Sequence, residues 1–580
     1  MLNCGLIRDG DGGGWWQFRD AGEIIVIDSI DAILPTLRQI EERVNSEGLW
    51  AAGFISYEAG PAFDPAICAR TPDAWPLLWM GLYPPPRLIT LPTRPSAAAA
   101  PAYQWQASAS RQQYEQAIDA IRALISVGDT YQVNYTLRLH APVLEDPEAL
   151  FLRMVHANEP QHGAYLDCDN FVVCSASPEL FFRLDGERIT SRPMKGTAGR
   201  GLMHSHDIDA AQALATSEKN RAENVMIVDM VRNDISRVCR VGSMQVPRLF
   251  ELERYPTLWQ MTSTVAADTD ASVCDILQAL FPPASITGAP KVRTTEIIAE
   301  LESTPRGVYT GCIGYIAPGR RAQFNVAIRT AVLSRDRGTV EYGVGGGIVW
   351  DSSSQAEYEE CQLKARIVTD ASPAFSLLET LLWEPAGGYF LVEEHLHRLG
   401  ESADYFGMRA NIALVRQRLE ELANGLPRQP QRVRLLVDRE GRVHCEAAAL
   451  TESKKPVRLA LAAEPVDPSD PFLYNKTTHR TIYDRARASR ADCDDVVLWN
   501  TRSEVTETSI ANIVVELNGN RFTPPAESGL LPGVFRNWLL SQGEIMERRM
   551  DFADLRRASR IWVINSVRKW RDATLVGDDR

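Results

Sequence analysis

The chain is poor in several things, and each lack closes off a class of function. No apolar run is long enough to span a bilayer, so no helical membrane crossing is expected. The start, Met1-Leu2-Asn3-Cys4-Gly5, has no basic segment followed by an apolar stretch. No secretory signal is therefore expected, and the protein is placed in the cytoplasm. Ten cysteines are scattered singly, with no CxxC pair. That pattern argues against a zinc site or a disulfide framework and reads as reduced core residues. Positive charge is in deficit: 62 Lys and Arg face 75 Asp and Glu, for a net charge of -13. Such a balance gives no support to nucleic acid as a partner. What remains is globular composition, 45% hydrophobic and 24% charged over 580 residues, enough for at least two domains.

One stretch, Ser191-Arg192-Pro193-Met194-Lys195-Gly196-Thr197-Ala198-Gly199-Arg200-Gly201, sets a single lysine between a proline and a glycine-rich turn. Lys195 held on such a loop can aim its amine at a bound molecule, and a deprotonated amine is a nucleophile. Taken alone, the stretch reads as a surface turn, and only its company changes that reading. Strand-like Phe171–Cys174 leads through Ser177-Pro178 to Glu179, then Leu180-Phe181-Phe182. Glu179 is thus on a turn between strands: a solvated carboxylate, or an acid or base beside Lys195.

Other segments follow the same logic. Ser110 and Gln113 have capping-box spacing, and Tyr114, Ile118, Ile121 and Ile125 follow at helical intervals up to Gly128. Tyr131–Leu137 alternates like a strand. Ser217–Asn233 reads as a helix carrying Glu223. Glu357, Glu360 and Lys364 share one helical face at i, i+3, i+7. Two acidic helices could gather carboxylates around a divalent cation, and oxygen-only ligands suit magnesium. An intrahelical salt bridge to Lys364 is the competing reading. Tyr342–Val349 is glycine-rich and could offer backbone N–H groups to an anion. Asn325–Thr330 places Arg329 on a strand, where its planar fork would suit a carboxylate.

In this order, from about Gly53 to Asp370, the segments GFISYEA, DTYQVNYT, SPELFF, RPMKGT, RAENVMIVDMVRND, PPASITGAPK, VAIRT, GVGGGIVWDS and EYEECQLKA resemble the chorismate-utilising enzymes. The resemblance implies an α+β fold with the β-sandwich core and surrounding helices of anthranilate synthase component I. Anthranilate synthases have a small residue where Lys195 stands. Its presence implies attack on C2 of chorismate, loss of the C4 hydroxyl with Glu179 as acid, and addition of ammonia at C4. The product would be 4-amino-4-deoxychorismate. Magnesium would be held by Glu223 and Glu360, with Glu357 nearby. Arg329 and the Gly345–Gly347 amides would hold a carboxylate, with Thr287 and Gly288 as further substrate contacts. Gln132 stands where water-adding relatives carry a lysine base, which fits ammonia. Gln260 and Asn220 depart from the histidine and the acid common in relatives. No GxCxG glutaminase segment is present, so a separate glutamine amidotransferase subunit is the expected ammonia source.

The pattern restarts near Ser372-Pro373, giving expected domains at 1–370 (1–102 and 103–370) and 371–580. A pyridoxal phosphate enzyme needs a lysine, an acid for the pyridine nitrogen and a phosphate cup. Lys476, Glu507, Arg398, the Val534 and Phe535 amides opening a helix, and Ser566 supply those types. Their order resembles the fold-type IV pyridoxal phosphate enzymes. That implies Lys476 bonds the cofactor and Glu507 keeps its ring nitrogen protonated. It also implies pyruvate elimination to 4-aminobenzoate and a possible homodimer through this domain. Phe535 replaces a usual threonine, and Lys569 a common glycine. The alternatives are an aminotransferase in the second domain, an anthranilate synthase in the first, or a non-catalytic regulatory subunit.

Overall fold

A computed structural model describes the chain apart from residues 1–3, 11–12, 73–74, 92–100, 102, 370–372, 452–454 and 577–580. The alanine run of the Pro/Ala-rich connector, 97–100, lies outside the described residues. Two compact units emerge, Met1–Gly199 with Ala211–Ser372, and Arg200–Ala210 with Pro373–Arg580. Among the described residues no helix is long and apolar enough to cross a membrane.

The first unit is built on two ten-stranded antiparallel sheets. Their facing sides bury Phe18, Trp50, Phe54, Tyr83, Leu166, Val173 and Ile313 in one cluster. Aromatic and β-branched side chains suit such a pleated, doubly covered surface. The outer face of one sheet is covered by helices Ile30–Glu47, Glu218–Ser236 and Val273–Leu280, which bury Leu37, Ile227 and Leu277 against it. The outer face of the other is covered by Arg111–Ser126, Pro147–Asn158 and Ser354–Thr369. The capping box expected at Ser110 and Gln113 forms, and Tyr114, Ile118 and Ile121 are buried.

Two local expectations change. The lysine stretch is a strand, Met194–Gly199, not a loop. Its pairing with Leu258–Asp268 slips between Met194 and Thr197. A bulge of this kind re-aims the side chains beside it. Arg329 lies between strands Arg321–Val326 and Thr330–Ser334, at φ 50°. The glycines 345–347 sit inside the strand Thr339–Ile348.

The second unit has a four-stranded sheet covered by helices Val392–Phe406 and Ile412–Asn424. It also has an eight-stranded mixed sheet, in which Val457–Leu461 runs parallel to both Asp495–Trp499 and Lys569–Leu575. No disulfide joins any of the ten cysteines; five are buried and Cys68 is exposed, so the core reading holds only in part.

Candidate active sites

In the first unit, Glu179, Lys195, Glu223, Arg329, Glu357 and Glu360 line one cavity of about 320 Å³, with Gly345 and Gly347 on its wall. The strand carrying Lys195 is fixed by backbone contacts. Asn224 donates to the Lys195 carbonyl at 3.1 Å, and Gln260 donates to the Gly196 carbonyl at 2.8 Å. The Lys195 side chain is 14% exposed, and its amine stands 3.6 Å from Glu223 Oε2. A Cβ on Gly347 would come within 2.1 Å of that amine, so only glycine leaves the lysine its place.

Glu179 is buried, not a solvated turn carboxylate. Burial pushes its pKa up to about 7, against the opposing pull of the Ser285 hydroxyl, the Met194 N–H and Lys195. Arg329 is 6% exposed. Its guanidinium donates to Asn158 Oδ1 at 2.6 Å and lies 5.0 Å from the Tyr255 ring centroid. Burial lowers its pKa, and no carboxylate pairs with it among the described residues. A buried guanidinium with no carboxylate at ion-pair distance, though Glu253 and Glu179 act on it from further off, is a ready receptor for one.

The three acidic residues expected around magnesium face this cavity, but not as a bare ligand cluster. Glu360 pairs with Lys364 at 2.8 Å, the helical salt bridge weighed from spacing. The Lys364 ammonium holds the pKa of Glu360 down. Glu357 accepts from the Ser352 hydroxyl at 2.6 Å. Among the described residues no three acids are gathered closely enough to hold an ion. The oxygen donors suit magnesium, while lysine ammoniums now balance two of them. Thr287 and Gly288 do not line the cavity; the Thr287 hydroxyl donates to the Pro283 and Ala284 carbonyls behind it. Spacing put Lys364 on the helical face of Glu357 and Glu360, and it lines the cavity with them. Spacing did not show that the Gln132 amide is buried beside Gly347 with neither polar atom partnered.

In the second unit, Lys476, Glu507, Arg398, Val534, Phe535 and Ser566 line a separate cavity of about 880 Å³. Burial, then Arg398, lowers the Lys476 pKa to about 8. Burial raises Glu507 to about 7. Glu507 accepts from the Tyr483 hydroxyl at 2.9 Å, the Leu531 N–H at 3.0 Å and Asn512 Nδ2 at 3.2 Å. Arg398 makes a two-pronged contact with Glu379, at 2.9 and 2.6 Å, and His395 Nδ1 meets the same carboxylate at 2.7 Å. Burial alone would raise Glu379, yet Arg398 and His395 hold it at about 2. The helix Val534–Ser541 starts at Gly533 with no side-chain cap, leaving its first N–H groups for an anion. The Phe535 ring packs against Trp538 at 5.8 Å, so this residue can offer only its amide. Tyr483, Glu379 and His395 escaped the sequence reading, because their partners come from other elements.

Residues 21–370 match the chorismate binding enzyme family, and residues 376–576 match amino-transferase class IV. Aminodeoxychorismate synthase component 1 of Escherichia coli (strain K12) is 41% identical over 258 residues, 44% of this chain and 56% of that protein. Its namesake in Bacillus subtilis (strain 168) is 38% identical over 254 residues, 43% of this chain and 54% of that one. The matched stretch therefore spans about half the length of these curated relatives. Anthranilate synthase component I from Streptococcus pneumoniae TIGR4 shares the fold at a TM-score of 0.50 and 25% identity, covering 63% of this chain and 90% of that one. The chain belongs to the chorismate binding enzyme family and carries a fold-type IV, class IV amino-transferase domain after it.

Proposed function

We propose that this chain is a bifunctional enzyme that turns chorismate and ammonia into 4-amino-4-deoxychorismate, then releases pyruvate from it to leave 4-aminobenzoate. The reading is carried above all by one observation: Lys195, buried Glu179 and the unpaired Arg329 share a cavity. Similarity to curated aminodeoxychorismate synthases over the same stretch supports it.

Arg329 and the wall formed by Gly345 and Gly347 take a carboxylate of chorismate. Lys195, unobstructed by Gly347, forms a bond from its amine to C2. Both ring double bonds shift, and the C4–O bond breaks. Glu179 gives its proton to that oxygen, which leaves as water. Ammonia then bonds C4, both double bonds shift back and the C2–Lys195 bond breaks. Glu223 and Glu360, with Glu357 beside them, would hold magnesium in exchange for their lysine partners. When bound, the ion supplies positive charge to the ring carboxylate.

The second cavity fits pyridoxal phosphate. Its uncapped helix end and Arg398 suit the phosphate, and buried Glu507, fixed by three hydrogen-bond donors, suits a protonated ring nitrogen. When bound, the cofactor supplies an electron sink for the carbon bearing the amine. Lys476, with its pKa near 8, takes the C4 proton as base. Pyruvate then departs and the ring becomes aromatic. Ammonia would come from a glutamine amidotransferase subunit, and the second domain would pair as a homodimer.

The match to class IV amino-transferases keeps a second outcome in view, amino transfer instead of elimination. Two assays divide them: pyruvate release from 4-amino-4-deoxychorismate, and amino transfer to 2-oxoglutarate. The main test is a pair of variants. Lys195→Ala should stop formation of the intermediate yet leave pyruvate release from supplied intermediate intact. Lys476→Ala should accumulate the intermediate. Loss of both steps in either well-folded variant would falsify the division of labour.

A further inference from the structure

The cavity of the second unit holds more positive charge than these roles use. Arg432, Arg568 and Arg571 lie on its wall, apart from Arg398 and Lys476. They come from different places: Arg432 from the strand Gln431–Val437, Arg571 from the strand Lys569–Leu575, and Arg568 from the turn before it. That turn is preset, because the Asn565 side-chain oxygen accepts from the Val567 and Arg568 N–H groups at 3.1 and 2.8 Å.

Their partners are neutral. Arg568 donates to the Thr451 carbonyl at 2.7 Å, and Arg571 to the Lys455 carbonyl at 3.3 Å. Among the described residues none of the three arginines pairs with a carboxylate. By contrast, Arg434 on the same strand has Glu446 at 3.2 Å. Arg571 and Arg432 stand near enough that both push down the Arg568 pKa, after burial itself. Gathering like charges without a counter-ion is unfavourable, and a bound anion removes the penalty. Guanidinium forks suit planar carboxylates in particular. The phosphate already has its own cup at the helix end, so this charge is left for the substrate.

We propose that Arg432, Arg568 and Arg571 form a carboxylate receptor in the wall of this cavity, which makes the second unit select dicarboxylates over monocarboxylates. The inference rests on the second unit handling an amine-bearing acid, but not on whether elimination or transfer follows.

The test uses the full chain loaded with pyridoxal phosphate, whose visible absorbance reports on this cavity alone. Isophthalate and benzoate are titrated as dianionic and monoanionic probes. Isophthalate should bind at least about tenfold tighter, with a steeper loss of affinity as salt rises. Arg568→Gln and Arg571→Gln should each weaken isophthalate by roughly tenfold and leave benzoate within about twofold. Exposed Arg432→Gln, the variant least able to disturb folding, should act in the same direction. Equal binding of the two probes, or isophthalate affinity unchanged in all three variants, overturns the proposal. If pyruvate release fails in the wild-type chain while the dianion preference persists, the lyase reading falls and the receptor stands.

Discussion

Around Lys195 the decisive neighbour is an atom that is missing. Any side chain at position 347 would place its first carbon 2.1 Å from the lysine amine and 3.0 Å from Gln132 Nε2. Displacing a nucleophile by about an ångström costs on the order of a hundredfold in rate. Gly347→Ala should therefore lower the first reaction by at least about tenfold, while pyruvate release from supplied intermediate stays level. Steady-state assays of both half-reactions on one preparation check this. Glu179 gives a pH signature. Its folded pKa of about 7 lies above the ordinary 4.5, so a substantial share keeps its proton at neutral pH, where an ordinary glutamate would have lost it. A donor is lost as pH rises through its pKa, so the first reaction should decline above about pH 7. The slow Glu179→Gln variant should lack that limb. Stability moves in the same sense. The stabilisation from holding this proton is complete below pH 4.5 and is lost as pH rises towards 7. Glu179→Gln should gain melting temperature relative to wild type at pH 8 and not at pH 4. Motif order brought Lys195, Glu179 and Arg329 into one argument. It was silent on the unpartnered Gln132 amide, because burial of a polar group depends on what packs over it.

At the level of elements, one strand and one helix build the side of the second cavity proposed for phosphate. The strand Leu377–Glu384 supplies Glu379, and the helix Val392–Phe406 supplies His395 and Arg398 one turn apart. Glu379 stands between them and takes both. Removing one partner of a buried ion pair typically costs about 3–5 kcal/mol, since the other charge is left uncompensated. Glu379→Ala should lower the melting temperature of the second unit and weaken pyridoxal phosphate binding together. Thermal denaturation and absorbance titration of the cofactor read the two effects separately. An unchanged cofactor affinity would mean that Arg398 does not depend on Glu379 for its position. The tie of this helix to the strand was not legible, since a lone glutamate in the leucine-rich run Leu377–Glu384 names no partner. Local signals served well where the physics was local, as in the Ser110 cap. They failed where a partner strand sets the geometry. Lys195 was expected on a glycine loop, but it sits in a strand whose register slips against its neighbour. Arg329 was expected within a strand, but it lies between two, at a positive φ.

Across the whole molecule, long-range pairing was the least legible feature. Gly5 pairs with Phe18 on one side and Leu166 on the other, and Phe171 pairs with Ser334. No periodicity within one segment encodes which distant segment will lie beside it. The segment Arg200–Ala210, which groups with the second unit, is a further case. Chemistry divided more cleanly than the chain did. The residues of the first cavity all belong to the first unit, and those of the second cavity all belong to the second. If each unit thus holds a whole set of groups for its own step, the steps need not occur on one chain. The Lys195→Ala chain lacks only the proposed nucleophile of the first step, and the Lys476→Ala chain only the proposed base of the second. Mixed with chorismate, ammonium, magnesium and pyridoxal phosphate, they should together make 4-aminobenzoate, which neither makes alone. The product should appear after a lag, because the intermediate must first build up in solution. The lag should shorten as the Lys195→Ala chain is raised, since that chain carries the working second site. Liquid chromatography of timed samples would follow intermediate and product at once. No product from the mixture, with both half-reactions intact on supplied substrates, would mean that the intermediate does not leave the chain that made it.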